Sequence, residues 1–248
     1  MISLLVTFAV KAEARPFERL IGTHSDLRVV LTGIGQRNAE RAIRKALAGQ
    51  SPRLVLTCGF AGGLNPELAV GTVVFSADED PGSRRGNEAE LLARSQVPPP
   101  YVSGYDPAAI ISSLSPALLA AGAQPAKFHR AEKVAATAEE KRALRLSTGA
   151  DAVEMESGII RAICAEHNVP SVTVRVISDA ANQDLPLDFN RFMDADQNLK
   201  YGKLTAALLK SPGKVGALVR LQKQTQGAAE KLAQVLLKII SNPTQARP

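Results

Sequence analysis

The sequence predicts an α/β domain followed by a helical C-terminal extension, with the boundary between residues 1–199 and 200–248. Three observations carry this reading. Short apolar, β-branched runs repeatedly lead into glycine-rich or acidic turns and then into helically spaced apolar residues. The stretch Asp151 to Asn182, DAVEMESGIIRAICAEHNVPSVTVRVISDAAN, reads as one strand, helix, strand unit. From Lys200 to the last residue the chain carries nine Lys or Arg against the single acid Glu230, which leaves 21 basic and 23 acidic residues before it.

Taken in order, Ile2 to Val10 is the first strand, and Glu13 follows its end directly. Ala12-Glu13-Ala14 imitates a signal-peptide cleavage site, but no cation leads the apolar run and it is too short to span a bilayer, so a buried strand is expected. Leu27 to Leu31 is a second strand. It enters Thr32-Gly33-Ile34-Gly35 and a helix from Asn38 through Ala48, closed by Gly49. Such a turn presents backbone N–H groups to an anion, or serves only as a tight packing turn. It lacks the third glycine of a dinucleotide fingerprint, which argues against a nicotinamide-dependent oxidoreductase. Arg53 to Thr57 repeats the pattern and runs into Cys58 to Leu64, expected as a flexible turn whose small residues admit a ligand. Val73 to Ser76 is a further strand. Asp80 to Gly104, rich in Pro and Gly, is an irregular excursion that is either a lid or a surface loop. Pro107 to Ala121 reads as a helix, and Thr137 to Leu146 as a charged surface helix.

In the Asp151 to Asn182 unit, Val153 to Met155 is a strand. Ser157 caps a helix bearing Ile159, Ile160 and Ile163 on one face, and Asn168 and Pro170 end it. Ser171 to Ile177 is a buried parallel strand with Val172, Val174 and Val176 on one side, and Asp179 lies just past its end. Strands joined through one helix run parallel, which places Glu156 and Asp179 at carboxyl ends of strands, where open α/β sheets bind ligands. The alternative is a first-turn Glu156 favoured by the helix dipole and an ordinary loop Asp179. Asp188 to Met193 is an acidic and aromatic loop, with one of Phe189 and Phe192 expected as a core anchor. Lys203 to Leu209 and Lys214 to Ile240 are helices. The second bears an apolar stripe of Leu221, Ala228, Leu232, Val235, Leu236 and Ile239 opposite a basic face. That stripe is expected to pack on the domain or on a second subunit, the alternative being a membrane surface.

With 248 residues, 45% of them hydrophobic, the chain can bury a full core. Cys58 and Cys164 both lie in apolar segments, which favours a reducing, cytoplasmic setting over a disulfide framework. Three scattered histidines, His24, His129 and His167, predict no metal site. The net charge of +6 raises nucleic acid binding, but no aromatics are interleaved with the cations, so none is expected.

Four segments in order, TGIGQRNAERA from Thr32, GFAGGLNPELAVGTVV from Gly59, AVEMES from Ala152 and VPSVTVRVISDAAN from Val169, resemble the nucleoside phosphorylase and methylthioadenosine/S-adenosylhomocysteine nucleosidase superfamily. The resemblance covers most of Met1 to Met193. It implies a single α/β domain with a twisted mixed sheet flanked by helices, assembled as a homo-oligomer around a purine nucleoside. It implies no cofactor, and inorganic phosphate as co-substrate if the enzyme is a phosphorylase. Asp179 matches the aspartate that protonates or hydrogen-bonds the purine ring; held partly desolvated, such a carboxyl stays protonated for a poor leaving group. Glu156 matches the glutamate that binds the ribose hydroxyls, and Met155 the residue packed beside the ribose. Glu13 matches the glutamate that activates water. Ser178 and Phe189 match the base and substrate pocket, and Gly33, Gly35, Gly59, Phe60 and Arg37 the phosphate or water site. Many relatives have serine where this chain has Phe60, and no base-stacking aromatic stands between Glu132 and Ala136.

The tail, with its Ser-Pro-Gly-Lys turn and long basic helix, resembles the hopanoid-associated phosphorylases, which act on an adenosyl group attached to a lipid. The implied activity is cleavage of the N-ribosidic bond of an adenine nucleoside, with adenosylhopane as the specific substrate. The protein would then be cytoplasmic, with peripheral contact at the inner membrane surface. The alternatives are a methylthioadenosine/S-adenosylhomocysteine nucleosidase and a catalytically inactive nucleoside-binding protein.

Overall fold

A computed structural model describes residues 3–76, 107–194, 213 and 215–241. The expectations for Asp80 to Gly104 and for a helix at Lys203 to Leu209 lie outside those residues. Eight strands form one sheet: β1 (Leu4–Phe8), β2 (Leu27–Leu31), β3 (Leu54–Gly63), β4 (Val73–Phe75), β5 (Gln124–Pro125), β6 (Phe128–Arg130), β7 (Ala152–Glu154) and β8 (Ser171–Asp179). Among the described residues six helices accompany them: α1 (Lys11–Ile21), α2 (Gln36–Leu47), α3 (Pro107–Ala120), α4 (Ala138–Thr148), α5 (Ser157–Glu166) and α6 (Val215–Ile240). A short 3-10 turn spans Phe189–Phe192.

The main path runs β2-β1-β3-β8-β4-β5, with β7 pairing both β3 and β6. β2, β1, β3 and β8 are mutually parallel, whereas β4 runs antiparallel to β8 and β7 antiparallel to β3. The sheet is therefore mixed, and the expected parallel β7 and β8 are corrected. β7 folds back antiparallel along the far end of β3.

Both faces of the central strands are covered, which is why they read as nearly continuous apolar runs. On one face Val6, Phe8, Leu56, Val172, Val174 and Val176 pack with Phe17 of α1, Leu118 of α3 and Leu232 and Leu236 of α6. On the other, Leu5 and Val55 pack with Ile43 and Leu47 of α2 and Ile160 and Ile163 of α5. The stripe on α6 thus docks on the domain, and each fully buried Leu or Ile there contributes roughly 1.5–3 kcal/mol. No described helix is long and apolar enough to cross a membrane.

Several local expectations change. Of the Cys58 to Leu64 segment, expected as a flexible turn, all but Leu64 is strand. Helix α1, to which the sequence reading assigned no element, follows β1. Its N-cap position is Val10, which has no capping side chain, so the usual start signal is missing, and the helix runs on through Pro16. Helix α5 is capped by Glu154, not Ser157: the Glu154 carboxylate accepts from the Glu156 and Ser157 N–H groups and from the Ser157 hydroxyl. Asn168, at φ 53°, closes that helix in the left-handed region as expected. Helix α4 is not purely a surface helix, since Lys141 is fully buried. Neither Phe189 nor Phe192 is a core anchor; both are half-buried. Asp179 is the last residue of β8 rather than a loop residue.

Candidate active site

On one edge of β3 the ladder to β1 ends at Thr57 and the ladder to β7 begins at Gly62. The intervening residues 58–61 have β8 on their other edge but no strand on this one among those described. Backbone groups in such a gap need other partners. Two side chains supply them: Glu13 Oε1 accepts from the Phe60 N–H at 2.8 Å, and Arg175 Nη1 donates to the Cys58 carbonyl at 3.2 Å.

Arg175 is the centre of the arrangement. It alternates with Val174 and Val176 on β8, so the valines face α1 and α6 while its guanidinium lies on the opposite side of the sheet, 1% exposed. Its Nη2 donates to Glu154 Oε2 at 2.6 Å and to Thr57 Oγ1 at 3.3 Å, and lies 3.6 Å from Glu156 Oε2. Nε has no hydrogen-bond partner among the described residues. A guanidinium so far from water requires compensating charge, and three buried carboxylates, Glu13, Glu154 and Glu156, provide it. Gly59 makes room for this packing. A Cβ on it would stand 2.8 Å from both Arg175 Nη1 and Glu13 Oε1, and its φ of 141° disfavours any side chain.

Glu13, in the first turn of α1, accepts from the Ala9 and Val10 N–H groups through Oε2 at 2.9 and 3.1 Å. It thereby caps its own helix, and Oε1 keeps one lone pair beyond its bond from Phe60. Burial pushes its carboxyl above the usual range, against the lowering effect of the N–H donors and Arg175. Glu156 sits at the N-cap of α5, its Oε1 accepting from the Gly35 N–H at 2.9 Å. Its pKa is pushed up to about 7, chiefly by burial, with Glu154 and Glu13 adding to the rise and Arg175 and the Gly35 N–H opposing it. Gly35, at φ 83°, turns the chain so that this N–H faces Glu156 from the start of α2.

Asp179 pairs with Gly62 across the β3–β8 ladder, beyond a register shift between Ala61 and Gly62. Its Oδ2 lies 2.5 Å from Lys141 Nζ, and its Oδ1 2.5 Å from the Ser178 hydroxyl, which is also 3.2 Å from the Ala61 carbonyl. Lys141 donates to the carbonyls of Ala180 and Gln183 as well, at 2.9 and 2.8 Å. Along β3 the Arg175 level (Gly59) and the Asp179 level (Gly62) are three residues apart, roughly 10 Å by the strand rise.

The fold therefore gathers Glu13, Gly35, Gly59, Phe60 and Glu156 around Arg175, with Ser178 and Asp179 further along the same strands. Met155, 8% exposed, lies between Glu154 and Glu156 in sequence and is buried with them. The Gly33 N–H is taken by the Ala9 carbonyl at 3.0 Å, so the backbone donors of Gly33, Gly35 and Phe60 are all occupied within the protein. Arg37 is exposed in the first turn of α2. Phe189 lies in the 3-10 turn, which Asn190 ties to the backbone N–H and carbonyl of Val134. The described residues contain no group of three His, Cys, Asp or Glu arranged to hold a metal ion.

Three residues of this arrangement escaped the sequence reading. Arg175 had a usable signal, a cation inside an otherwise apolar strand, which a buried strand tolerates only beside acids. Glu154, between Val153 and Met155, carried the same signal, whereas Lys141 had none, standing among the charged residues of a helix.

A family model described as the phosphorylase superfamily matches residues 4–211. The 5′-methylthioadenosine/S-adenosylhomocysteine nucleosidase of Mycobacterium bovis is 29% identical over 191 residues, covering 67% of this chain and 75% of that protein. Among solved structures, the 5′-methylthioadenosine/S-adenosyl homocysteine nucleosidase of Campylobacter jejuni superposes with a TM-score of 0.62 at 17% identity, covering 97% of this chain and 99% of that one. A futalosine hydrolase mutant of Helicobacter pylori gives 0.61 at 16% identity, with 95% and 99% covered. At those identities the structural likeness speaks for the fold.

Proposed function

Because the chain belongs to the phosphorylase superfamily, we propose that it cleaves the N-ribosidic bond of an adenine nucleoside, with water as the acceptor. The observation that carries this reading is the placement of Glu13 and Glu156 on backbone N–H groups beside Arg175, with Asp179 roughly 10 Å further along β3, a span that a purine riboside bridges. Asp179 donates a proton to the ring of the departing base, which would otherwise leave as a poor anion. Glu156 accepts hydrogen bonds from the ribose hydroxyls. With Glu13, Glu154 and Glu156 ionised, three carboxylates face one guanidinium, and the surplus negative charge favours the positive charge that the sugar acquires as the bond breaks. The remaining lone pair on Glu13 Oε1 accepts a proton from the attacking water. Water is preferred to phosphate because the backbone donors of Gly33, Gly35 and Phe60 already have partners and two carboxylates would oppose an anion there.

The finer substrate is one of two. The nucleosidase relatives support methylthioadenosine or S-adenosylhomocysteine. The basic tail supports an adenosyl lipid, adenosylhopane. In α6 the exposed Val215 and Val219 stand beside Arg220 and Lys223, a surface suited to peripheral contact with an anionic membrane. Cytoplasmic placement and a homo-oligomer belong to the same proposal.

The test is adenine release from methylthioadenosine, S-adenosylhomocysteine, adenosine and adenosylhopane, each with and without phosphate, beside the Asp179→Asn protein. Phosphate-independent release that disappears in the variant is the expected result. Release only with phosphate refutes water as acceptor, release from adenosylhopane alone selects the lipid reading, and no release from any of the four assigns a binding protein without turnover.

A further inference from the structure

Lys141 is fully buried, on a helix whose neighbouring residues are charged and mostly exposed. Burying an ammonium is unfavourable unless each of its protons finds an acceptor. All three do: Asp179 Oδ2, the Ala180 carbonyl and the Gln183 carbonyl. The two carbonyls belong to the turn directly after Asp179, and that turn is fastened further. Asp184 accepts from the Ala138 N–H, Leu185 N–H donates to Ala136, and Gln224 of α6 donates to the Ser178 carbonyl and to Gln183 Oε1. Lys141 is thus held to one place, against one oxygen of Asp179.

An ammonium has no lone pair, so it can only donate. A proton carried by Asp179 therefore cannot sit on Oδ2, where it would face Lys141, and must sit on Oδ1. The other neighbour of Oδ1 accommodates either state. When Asp179 is a carboxylate the Ser178 hydroxyl donates to Oδ1; when Oδ1 is protonated it donates to Ser178 Oγ, whose own proton turns to the Ala61 carbonyl. No heavy atom needs to move between the two.

We propose that Lys141 is a positioning residue for the departing base: it confines the transferable proton of Asp179 to Oδ1 and supplies the positive charge that compensates Asp179 once that proton is gone. This rests on the reading of Asp179 as the group that protonates the base. As the C–N bond breaks, its electron pair goes to the purine and the Oδ1 proton goes to a ring nitrogen. Neutral adenine leaves, Asp179 remains as a carboxylate paired with Lys141, and solvent restores the proton between turnovers. The charge is preorganised where negative charge develops, so it acts on the rate more than on substrate binding.

The test is a double-mutant cycle on adenine release by the full chain, with Lys141→Met, Asp179→Asn and the double variant, each checked by thermal unfolding and assayed on the soluble nucleoside that the wild type turns over fastest. Lys141→Met is expected to lower kcat by about 10²-fold with little change in KM, Asp179→Asn by about 10²–10⁴-fold, and the double variant no further than Asp179→Asn alone. Multiplying losses would mean that Lys141 acts on stability in general, and an unchanged kcat in Lys141→Met would remove its role; either overturns the proposal. If Lys141→Met does not fold, Lys141→Gln takes its place, and failure of both to fold assigns Lys141 to stability and overturns it too. A wild-type rate in Asp179→Asn would instead defeat the underlying reading of Asp179.

Discussion

Replacing Arg175 by Met, a substitution that keeps much of the volume and removes the charge, tests the centre of the site. With an effective dielectric of about 20, the 2.6 Å contact to Glu154 and the 3.6 Å contact to Glu156 correspond to gross attractions of roughly 6 and 5 kcal/mol. Desolvation of the same charges cancels most of this, and breaking a buried pair typically costs about 3–5 kcal/mol because the surviving carboxylates are left uncompensated. The lost bonds to the Cys58 carbonyl and Thr57 hydroxyl act in the same direction. Against a typical total stability of about 5–15 kcal/mol, the variant should fold but unfold at least 6 °C lower, at roughly 2–4 °C per kcal/mol. The assay is chemical and thermal unfolding of Arg175→Met, of Glu154→Gln and of the double variant. The double variant should recover part of the loss, since it removes an orphaned charge along with its partner. A destabilisation under about 1 kcal/mol, or a double variant worse than either single one, would refute the account of Arg175 as the compensating charge for this cluster.

Two further outcomes follow from the same geometry. Gly59→Ala places a Cβ against Arg175 Nη1 and Glu13 Oε1, both at 2.8 Å, at φ 141°; it should cost about 1–3 kcal/mol in backbone strain and, by displacing both groups, on the order of 10² in kcat, measured by unfolding and base release. A stable, fully active Gly59→Ala protein would mean that the packing is looser than described. For Glu156 the folded value of about 7 lies above the ordinary 4.5, so the fold favours the protonated carboxyl. Its stabilisation is fully present below pH 4.5 and is lost as pH rises through 7, by at most roughly 3 kcal/mol. Activity should move the opposite way, kcat/KM rising through pH 7 as Glu156 becomes able to accept from the ribose. The groups facing it are Glu154, Glu13, Arg175 and the Gly35 N–H. Unfolding midpoints of wild type and Glu156→Gln across that range should diverge, and identical pH profiles would count against the shift.

What was legible in the sequence is what local periodicity encodes. β2, β4, β8, α3, α5 and α6 appear close to where the apolar spacing put them, and Glu156 and Asp179 fall at strand ends because a strand, helix, strand pattern leaves few other places for them. The α1 helix was hidden because its cap is Glu13 itself, a residue inside the helix, while Val10 occupies the position where a capping side chain is normally sought. The glycines of residues 59–63 looked like a turn because glycine usually marks one. Gly59 instead admits the side chains of Arg175 and Glu13 beside a continuing strand.

The sequence by itself determined an α/β chain, an amphipathic C-terminal helix and a set of carboxylates at the edges of its strands, because helix and strand periods act over a few residues. Only the tertiary structure decided the direction of β7, the gap in the β3 ladder, and the meeting of Arg175 with Glu13, Glu154 and Glu156 from three distant segments. Lys141 belongs with these: it lies 38 positions before Asp179 in the sequence, and burial away from water leaves its ammonium dependent on Asp179 and the carbonyls of Ala180 and Gln183. Long-range charge compensation in a dry interior carries no periodic signature, so it becomes visible only when the chain is folded.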